Sequence, residues 1–150
     1  MRTPEGDALT ELVLAVFRLN GNFLKAAEGI AVPVGLTVAR WQVIGAVIEA
    51  PGTVADIARK MGLARQSVQR LADVLVAEGM LECRDNPAHK RAKLIQITER
   101  GRSAIARIAP RQHRWADEAS KGLSRERLLD ALELIRDVSQ RIEALDSGEP

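Results

Sequence analysis

The densest group of side chains suited to recognising a ligand lies near the middle of the chain, in residues 63–79. The first half of this segment carries hydrogen-bonding groups at Arg65, Gln66, Ser67, Gln69 and Arg70. Arginine and glutamine match the base edges in a DNA major groove, and arginine also binds phosphate. Apolar residues recur in the segment every three or four positions, at Val68, Leu71, Ala72 and Leu75. This spacing predicts an amphipathic recognition helix with the polar groups opposite a core.

A shorter helix is predicted immediately before the recognition helix, over residues 53–62. Thr53 is suited to cap its first turn, Asp56 favours that turn, and Gly62 suits the left-handed position after the last turn. Two helices joined by a turn of about three residues form a helix-turn-helix. An ordinary helical hairpin with solvated charges is the competing interpretation.

A β-hairpin is predicted directly after the recognition helix, with strands over residues 80–84 and 93–97. The connecting loop, residues 85–92, contains an Asn-Pro turn signal and places His89, Lys90 and Arg91 near its tip. A hairpin in this position is a wing, and these side chains could enter a minor groove or hold phosphates.

These motifs together resemble the MarR family of winged helix-turn-helix transcriptional regulators. The matching residues are Ser67-Val68-Gln69-Arg70, Leu75 and Gly79 in the recognition helix, Arg84, Asp85, Pro87 and Arg91 in the wing, and Ile97-Thr98 and Gly101 after it. Two positions depart from the family pattern. His89 replaces the aspartate that usually braces the wing arginine, and Ala64 stands where a capping Asp or Ser is common. The resemblance covers nearly the whole chain.

The remaining elements are helices that flank this module. We predict helices over residues 7–30, 37–49, 99–121 (with Pro110 inside) and 125–145. Residues 1–7 are expected to be frayed, and Thr37 and Ser124 are expected to cap the second and last of these helices. The first and last helices carry long apolar stripes that need a partner. The two helices could pack on each other within one chain, but a twofold dimer is favoured because DNA sites are read as paired half-sites. The prediction is one mainly α chain over residues 1–150, with a small β-hairpin wing. A winged helix-turn-helix over residues 36–98 lies between dimerisation helices at 7–34 and 99–146.

Charge is concentrated in the predicted DNA-binding module. Residues 59–93 hold eight cations and four anions, a net charge of +4, so the remainder of the chain sums to −2. A basic module in a nearly neutral chain is typical of DNA binding. The sequence has no run of eighteen apolar residues and no apolar leader segment. We therefore predict neither a membrane span nor a secretory signal. A single cysteine is compatible with the cytoplasm.

Residues for catalysis or metal binding are scarce. The chain has two histidines, His89 and His113, and one cysteine, Cys83, whereas a metal site needs three or four ligands. No phosphate-binding glycine loop is present, and Ser67 has no histidine or carboxylate in a triad pattern. We therefore expect neither an enzyme nor a bound metal or cofactor.

A ligand site is implied by the resemblance alone. MarR-like proteins commonly bind small aromatic or anionic effectors in a cleft between the dimer helices and the winged module. Here that region would include Arg18, Trp41, His113 and Trp115, and an aromatic wall with an arginine suits an organic anion. The competing interpretation places both tryptophans in the core and Arg18 in a surface ion pair.

The predicted function is a dimeric, sequence-specific regulator of transcription that binds double-stranded DNA, as a repressor released by such an effector. Arg65, Gln66, Ser67, Gln69 and Arg70 would enter the major groove, while His89, Lys90 and Arg91 would serve the wing. Two alternatives remain open. One is a winged-helix module that binds proteins rather than DNA, and the other is a regulator switched by oxidation of Cys83.

Overall fold

The computed structural model describes residues 2–148, and positions 1, 149 and 150 lie outside the described part. The elements in chain order are α1 (Pro4–Ala31), a short 3-10 helix (Val32–Val34), α2 (Val38–Ala46), α3 (Val54–Met61), α4 (Arg65–Ala77), β1 (Leu81–Arg84), β2 (Leu94–Ile97), α5 (Glu99–Ala119) and α6 (Arg125–Ser147). The predicted mainly α fold with a β-hairpin after the recognition helix is confirmed.

Side-chain caps fix where most of these helices begin. Thr37, Thr53 and Ser124 each accept a hydrogen bond from the backbone N–H three residues on, as predicted for Thr37 and Thr53 and for a new cap at Ser124. The first helix corrects our expectation of a frayed segment before residue 7. Thr3 caps it, and Pro4 occupies the first helical position, where its missing N–H costs nothing.

The helix-turn-helix packs around one apolar core. Its largest fully buried side chains are Ile44, Ile57, Leu75, Leu81, Ile108, Val43, Val47 and Val68. Three of the four predicted inward residues of α4 are buried, and Leu71 is half-buried. Helix α2 ends at Ala46, three residues before the predicted end, and Val47 then leaves the helical conformation. The apolar spacing therefore predicted the buried face of α4 correctly, but it placed the end of α2 too late in the sequence.

A capping box holds the start of α3. The Thr53 side chain accepts from the Asp56 N–H at 3.1 Å, and the Asp56 carboxylate accepts from the Thr53 N–H at 3.0 Å. The hydrogen bond from the Thr53 N–H is the main reason that the pKa of Asp56 lies below its ordinary value of 3.8. The hydrogen bond with the Thr53 side chain is the second reason. The box therefore fixes the first turn of the helix-turn-helix through an ionised carboxylate.

The Asp56 carboxylate should make the stability of the fold sensitive to acid. Because its pKa is lower in the folded state, its contribution is present above the ordinary pKa of 3.8 and is lost as pH falls through the folded value. We expect Asp56→Asn to flatten the decline of unfolding free energy below about pH 4. Urea melts from pH 6 to 3 measure this, and a decline identical to that of the parent would contradict it. Thr53→Ala should cost about 1 kcal/mol at neutral pH.

The wing is an antiparallel hairpin in which Leu81 pairs with Ile97 and Cys83 pairs with Ile95. Gly52 adds an unpredicted third segment to this sheet. Its N–H donates to the Ile95 carbonyl at 3.0 Å, and the Ile95 N–H donates to the Gly52 carbonyl at 2.8 Å. Because Thr53 follows directly, this bridge ties the start of α3 to the second wing strand.

The chain divides into two compact units, one up to Gln112 and the other from His113. The first contains α1 to β2 and most of α5, whose helix continues without a break through Pro110. The second contains the end of α5 and α6. The predicted separation of residues 36–98 from flanking dimerisation helices remains a prediction.

Within residues 2–148, no single helix is long and apolar enough to cross a membrane. The pair Pro4–Val34 and Val38–Ala46, bent by 91°, meets the criterion of length and composition only when the two are taken together.

Candidate DNA-binding surface

An open groove of about 690 Å³ runs between the recognition helix and the wing. Three elements form it: the start of α3, the outer face of α4 and the wing strands with their loop. Its lining residues are Thr53, Val54, Ala55, Arg65, Gln66, Gln69, Asp73, Cys83, Arg91, Ala92, Lys93 and Ile95. The groove therefore joins the two elements that the sequence assigned to DNA.

The structure brings four of the eight predicted DNA-binding residues together around this groove. Arg65, Gln66 and Gln69 reach it from α4, and Arg91 reaches it from the wing. The other four lie elsewhere: Ser67 is half-buried on α4, Arg70 is exposed on α4, and His89 and Lys90 are exposed in the wing loop.

Arg70 lies on the exposed side of α4, directly opposite the buried face. It follows Gln66 by four residues, so the two side chains are neighbours on the helix surface. Val68, Ala72 and Leu75 occupy the other side and are buried. Arg70 therefore projects from the part of the helix best placed to enter a major groove, although it does not line the groove toward the wing.

Three cations of the basic module contact groups of the chain itself, so the simple charge count overstates the charge open to a partner. The Lys60 ammonium donates to the Ala46 carbonyl at 3.2 Å and thereby completes the end of α2. Arg59 pairs with Asp56 at 3.3 Å. Lys93 lies 4.0 Å from Asp85.

The cations left for a partner are those that the recognition helix and wing present to solvent. Within the described part of the chain, no ion pair or side-chain hydrogen bond holds Arg65, Arg70, Arg84, Lys90 or Arg91. These five side chains are exposed.

An ion pair anchors the far end of the recognition helix. The Arg40 guanidinium on α2 donates to the Glu78 carboxylate at 3.0 Å, and the two side chains are only 27% and 36% exposed. Glu78 is the C-cap residue of α4. The pair fixes α4 against α2 at the end remote from the groove, so the polar first turns keep a defined direction.

The first turn of α4 has no side-chain cap. Ala64 occupies the cap position, so its side chain cannot accept a hydrogen bond from the N–H groups of the first turn.

In the wing loop, the Asn86 side chain accepts a hydrogen bond from the Ala88 N–H at 3.0 Å, which forms the predicted turn. No acid braces Arg91 among the described residues, in keeping with His89 at the position usual for that acid.

The residues predicted to contact an effector lie in both units. Arg18 is exposed on α1 and Trp41 is half-buried on α2, both in the first unit. His113 is exposed and Trp115 half-buried on α5, both in the second unit. Neither tryptophan is fully buried, and their contact with an effector stays a prediction.

One feature of the groove was missed by the sequence reasoning. Asp73 lies on its wall and accepts from the Gln69 side-chain amide at 2.9 Å. A helical wheel could have found this contact, because the two residues are four apart. Cys83 is an exposed free thiol on the same wall. In the part of the chain that the structure describes, no cluster of His, Cys, Asp or Glu could hold a metal ion.

Comparison with known proteins links this groove to a family. A model of the MarR family matches residues 34–92, which span α2, the helix-turn-helix and most of the wing. An uncharacterized protein of Mycobacterium tuberculosis strain H37Rv is 40% identical over 105 residues, covering 70% of this chain and 73% of that protein.

Solved structures agree over the full length of the fold. The crystal structure of the MarR family transcription regulator SP03579 is 26% identical, covers 97% of each chain and gives a TM-score of 0.70. CouR from Rhodococcus jostii RHA1, bound to p-coumaroyl-CoA, is 25% identical and covers 85% of this chain and 91% of CouR, with a TM-score of 0.70.

The repressor CouR bound to a 23-mer DNA duplex has the same fold, with 22% identity, a TM-score of 0.71 and coverage of 93% of this chain and 99% of CouR. The matched segment contains the quoted motifs of the recognition helix and of the wing up to Arg91, and the fold has the recognition helix and wing in the predicted order. The chain belongs to the MarR family of winged helix-turn-helix transcription regulators.

Proposed function

We propose that the chain is a dimeric, sequence-specific regulator that binds double-stranded DNA and represses transcription. The observation that carries this proposal is the set of unpaired cations on the recognition helix and the wing. Arg65 and Arg91 line the groove, Arg70 is exposed on the outer side of α4, and the Arg40–Glu78 ion pair holds the far end of that helix in place. Cations on a fixed helix and an adjacent wing match the phosphates and base edges of a duplex.

The uncapped start of α4 supports the same function. Its first N–H groups have no side-chain acceptor at Ala64, and the helix dipole places partial positive charge there. A DNA phosphate would supply the missing acceptor, as phosphates do at other helix N-termini. CouR, which shares this fold, was solved bound to a DNA duplex and is described as a transcriptional repressor.

Base reading and phosphate binding should be separable at Arg70 and Lys90. Arg70 has a planar fork that can grip a guanine edge, so Arg70→Ala should cost roughly 1–3 kcal/mol on a specific site. Lys90 is a mobile point charge in the wing loop. Lys90→Ala should therefore weaken binding to specific and random duplexes alike, and it should lower the slope of log affinity against log salt concentration by about one. Titrations of both variants on selected and random duplexes at several salt concentrations measure this.

Each outcome of these titrations bears on a different assignment. Full operator affinity in the Arg70→Ala protein would contradict entry of α4 into the major groove. Equal losses on every sequence would make Arg70 a phosphate clamp and leave base reading to Arg65, Gln66 or Gln69. A parent protein that binds partners with little salt dependence would instead favour the protein-interaction module.

We further propose that a small aromatic or anionic effector releases the chain from DNA. Support comes from CouR, which was solved with p-coumaroyl-CoA. In this chain Arg18, Trp41, His113 and Trp115 remain the predicted contacts, because arginine and aromatic side chains suit an organic anion.

Tryptophan fluorescence offers a direct test of this proposal, because the chain has two tryptophans and no tyrosine. We expect p-coumaroyl-CoA to quench the emission and to weaken DNA binding at the same concentrations. Comparing Trp41→Phe with Trp115→Phe assigns the signal to one residue. Quenching that is unaffected by either substitution, or that leaves DNA affinity unchanged, would count against effector-driven release through these residues.

A further inference from the structure

The wall of the groove between α4 and the wing contains an acid as well as cations. Among the described residues that line this groove, Asp73 is the one acid, facing the same space as Arg65 and Arg91. A carboxylate there repels phosphates and therefore lowers affinity for any duplex. Its contribution must be sought in something other than affinity.

Asp73 engages one predicted base-reading residue directly. The Gln69 side-chain nitrogen donates to a carboxylate oxygen of Asp73 at 2.9 Å. Arg65, Gln69 and Asp73 follow one another at intervals of four, so they form a row along one side of α4. An ionised carboxylate only accepts hydrogen bonds, so the Gln69 amide must turn its nitrogen, and not its oxygen, toward Asp73.

We propose that Asp73 is a positioning residue that presets the Gln69 amide to read adenine. The amide nitrogen has two hydrogens, and Asp73 occupies one of them. The carbonyl oxygen and the hydrogen beside it remain available as an acceptor and a donor. Adenine presents the complementary pair in the major groove, the N6 donor and the N7 acceptor.

The same constraint disfavours guanine at that position. Guanine presents two acceptors, O6 and N7, and only one donor of the preset amide can face them. An unconstrained glutamine could rotate and offer both hydrogens of its nitrogen. The inference rests on the proposed DNA-binding function, and it adds which base Gln69 reads and what enforces the choice.

A purely structural explanation makes a different prediction. A Gln–Asp pair at this spacing stabilises a helix by only about 0.2–0.5 kcal/mol. If that were its whole role, replacing Asp73 would leave the base preference at each position unchanged. Alanine is a good helix former, and Asp73 is exposed, so Asp73→Ala should fold normally.

The test is selection of bound sequences from a random duplex pool by five proteins: the parent, Asp73→Ala, Asp73→Glu, Gln69→Ala and the double variant Gln69→Ala/Asp73→Ala. We expect the parent to enrich adenine at one position of each half-site. Asp73→Ala should lower the adenine-to-guanine ratio there by roughly three- to tenfold, the value of one hydrogen bond. Asp73→Glu keeps an acceptor within reach and should retain the preference.

The double variant supplies the decisive comparison. Once Gln69 is absent, removing Asp73 should have no further effect on that position. Random-duplex affinity of Asp73→Ala should equal or exceed that of the parent, because a repulsive charge is removed. A parent that selects a defined site while Asp73→Ala selects the identical site would overturn the inference and leave the proposed function standing. A parent that enriches no sequence would overturn both.

Discussion

Replacing Ile135 with aspartate is expected to convert the chain from a dimer to a monomer at micromolar concentration. Helix α6 has no buried residue, and Leu128, Leu132 and Ile135 are 45%, 41% and 43% exposed. These residues share one face of the helix, which the proposed dimer would bury. An unpaired carboxylate there would cost at least about 3 kcal/mol, or roughly a 150-fold rise in the dimer dissociation constant.

Gln140→Asp is the matched control, because residue 140 is exposed on the polar side of α6, roughly a third of a turn around the helix from this face. It introduces the same charge on the same helix and should leave the dimer intact. Light scattering across a concentration series measures both variants. A parent protein that is a stable monomer at micromolar concentration would refute the dimer outright. Equal dissociation by the two variants would show that net charge, rather than this face, controls assembly.

The second large effect is expected at Gly101, near the start of α5. A Cβ added at this residue would lie 2.2 Å from the Met80 carbonyl oxygen and 2.8 Å from a side-chain carbon of Ile97. Met80 lies between the recognition helix and β1, and Ile97 is the last residue of β2. Because the nearer of these two atoms, the Met80 carbonyl oxygen, belongs to the backbone, α5 or the wing must move to relieve the clash. Gly101→Ala should therefore cost at least about 2 kcal/mol, even after the roughly 1 kcal/mol that alanine adds to a helix.

Gly45→Ala provides the control within the same unit. Gly45 also lies inside a helix, α2, but an added Cβ would meet nothing within 4 Å. That substitution should be neutral or stabilising by up to about 1 kcal/mol. Chemical denaturation of the two variants compares them, and DNA affinity should fall only in Gly101→Ala, because the wing is displaced. A Gly101→Ala protein as stable as the parent would show that the close approach to Met80 is easily relieved.

Local signals made much of this fold predictable. Thr53 and Asp56 are three residues apart and form their capping box with each other, so the start of α3 could be placed from the sequence. The apolar spacing of α4 likewise identified its buried face. The frayed start was wrong because the cap at Thr3 was overlooked, although it precedes a proline that suits the first helical turn.

Contacts between residues distant in the sequence were beyond this reasoning. Lys60 was counted in the net charge of the basic module, but it binds the carbonyl of Ala46, fourteen residues away. The bridge from Gly52 to Ile95 joins segments more than forty residues apart, and no local propensity marks it. The groove could be anticipated only in outline, because its walls depend on such pairings. The Gln69–Asp73 contact was local and could have been seen.

Selection of bound sequences from random duplex DNA by the unmodified chain tests the central claim most directly. A dimer with two recognition helices predicts an inverted repeat whose half-sites lie about one helical turn, roughly 10 base pairs, apart. Enrichment should weaken steeply as salt rises, because phosphate contacts release counterions. We expect such a repeat to emerge, and Arg70→Ala should relax the base preference at one position of each half-site. A pool that remains random after repeated rounds at low salt would contradict sequence-specific DNA binding by this protein.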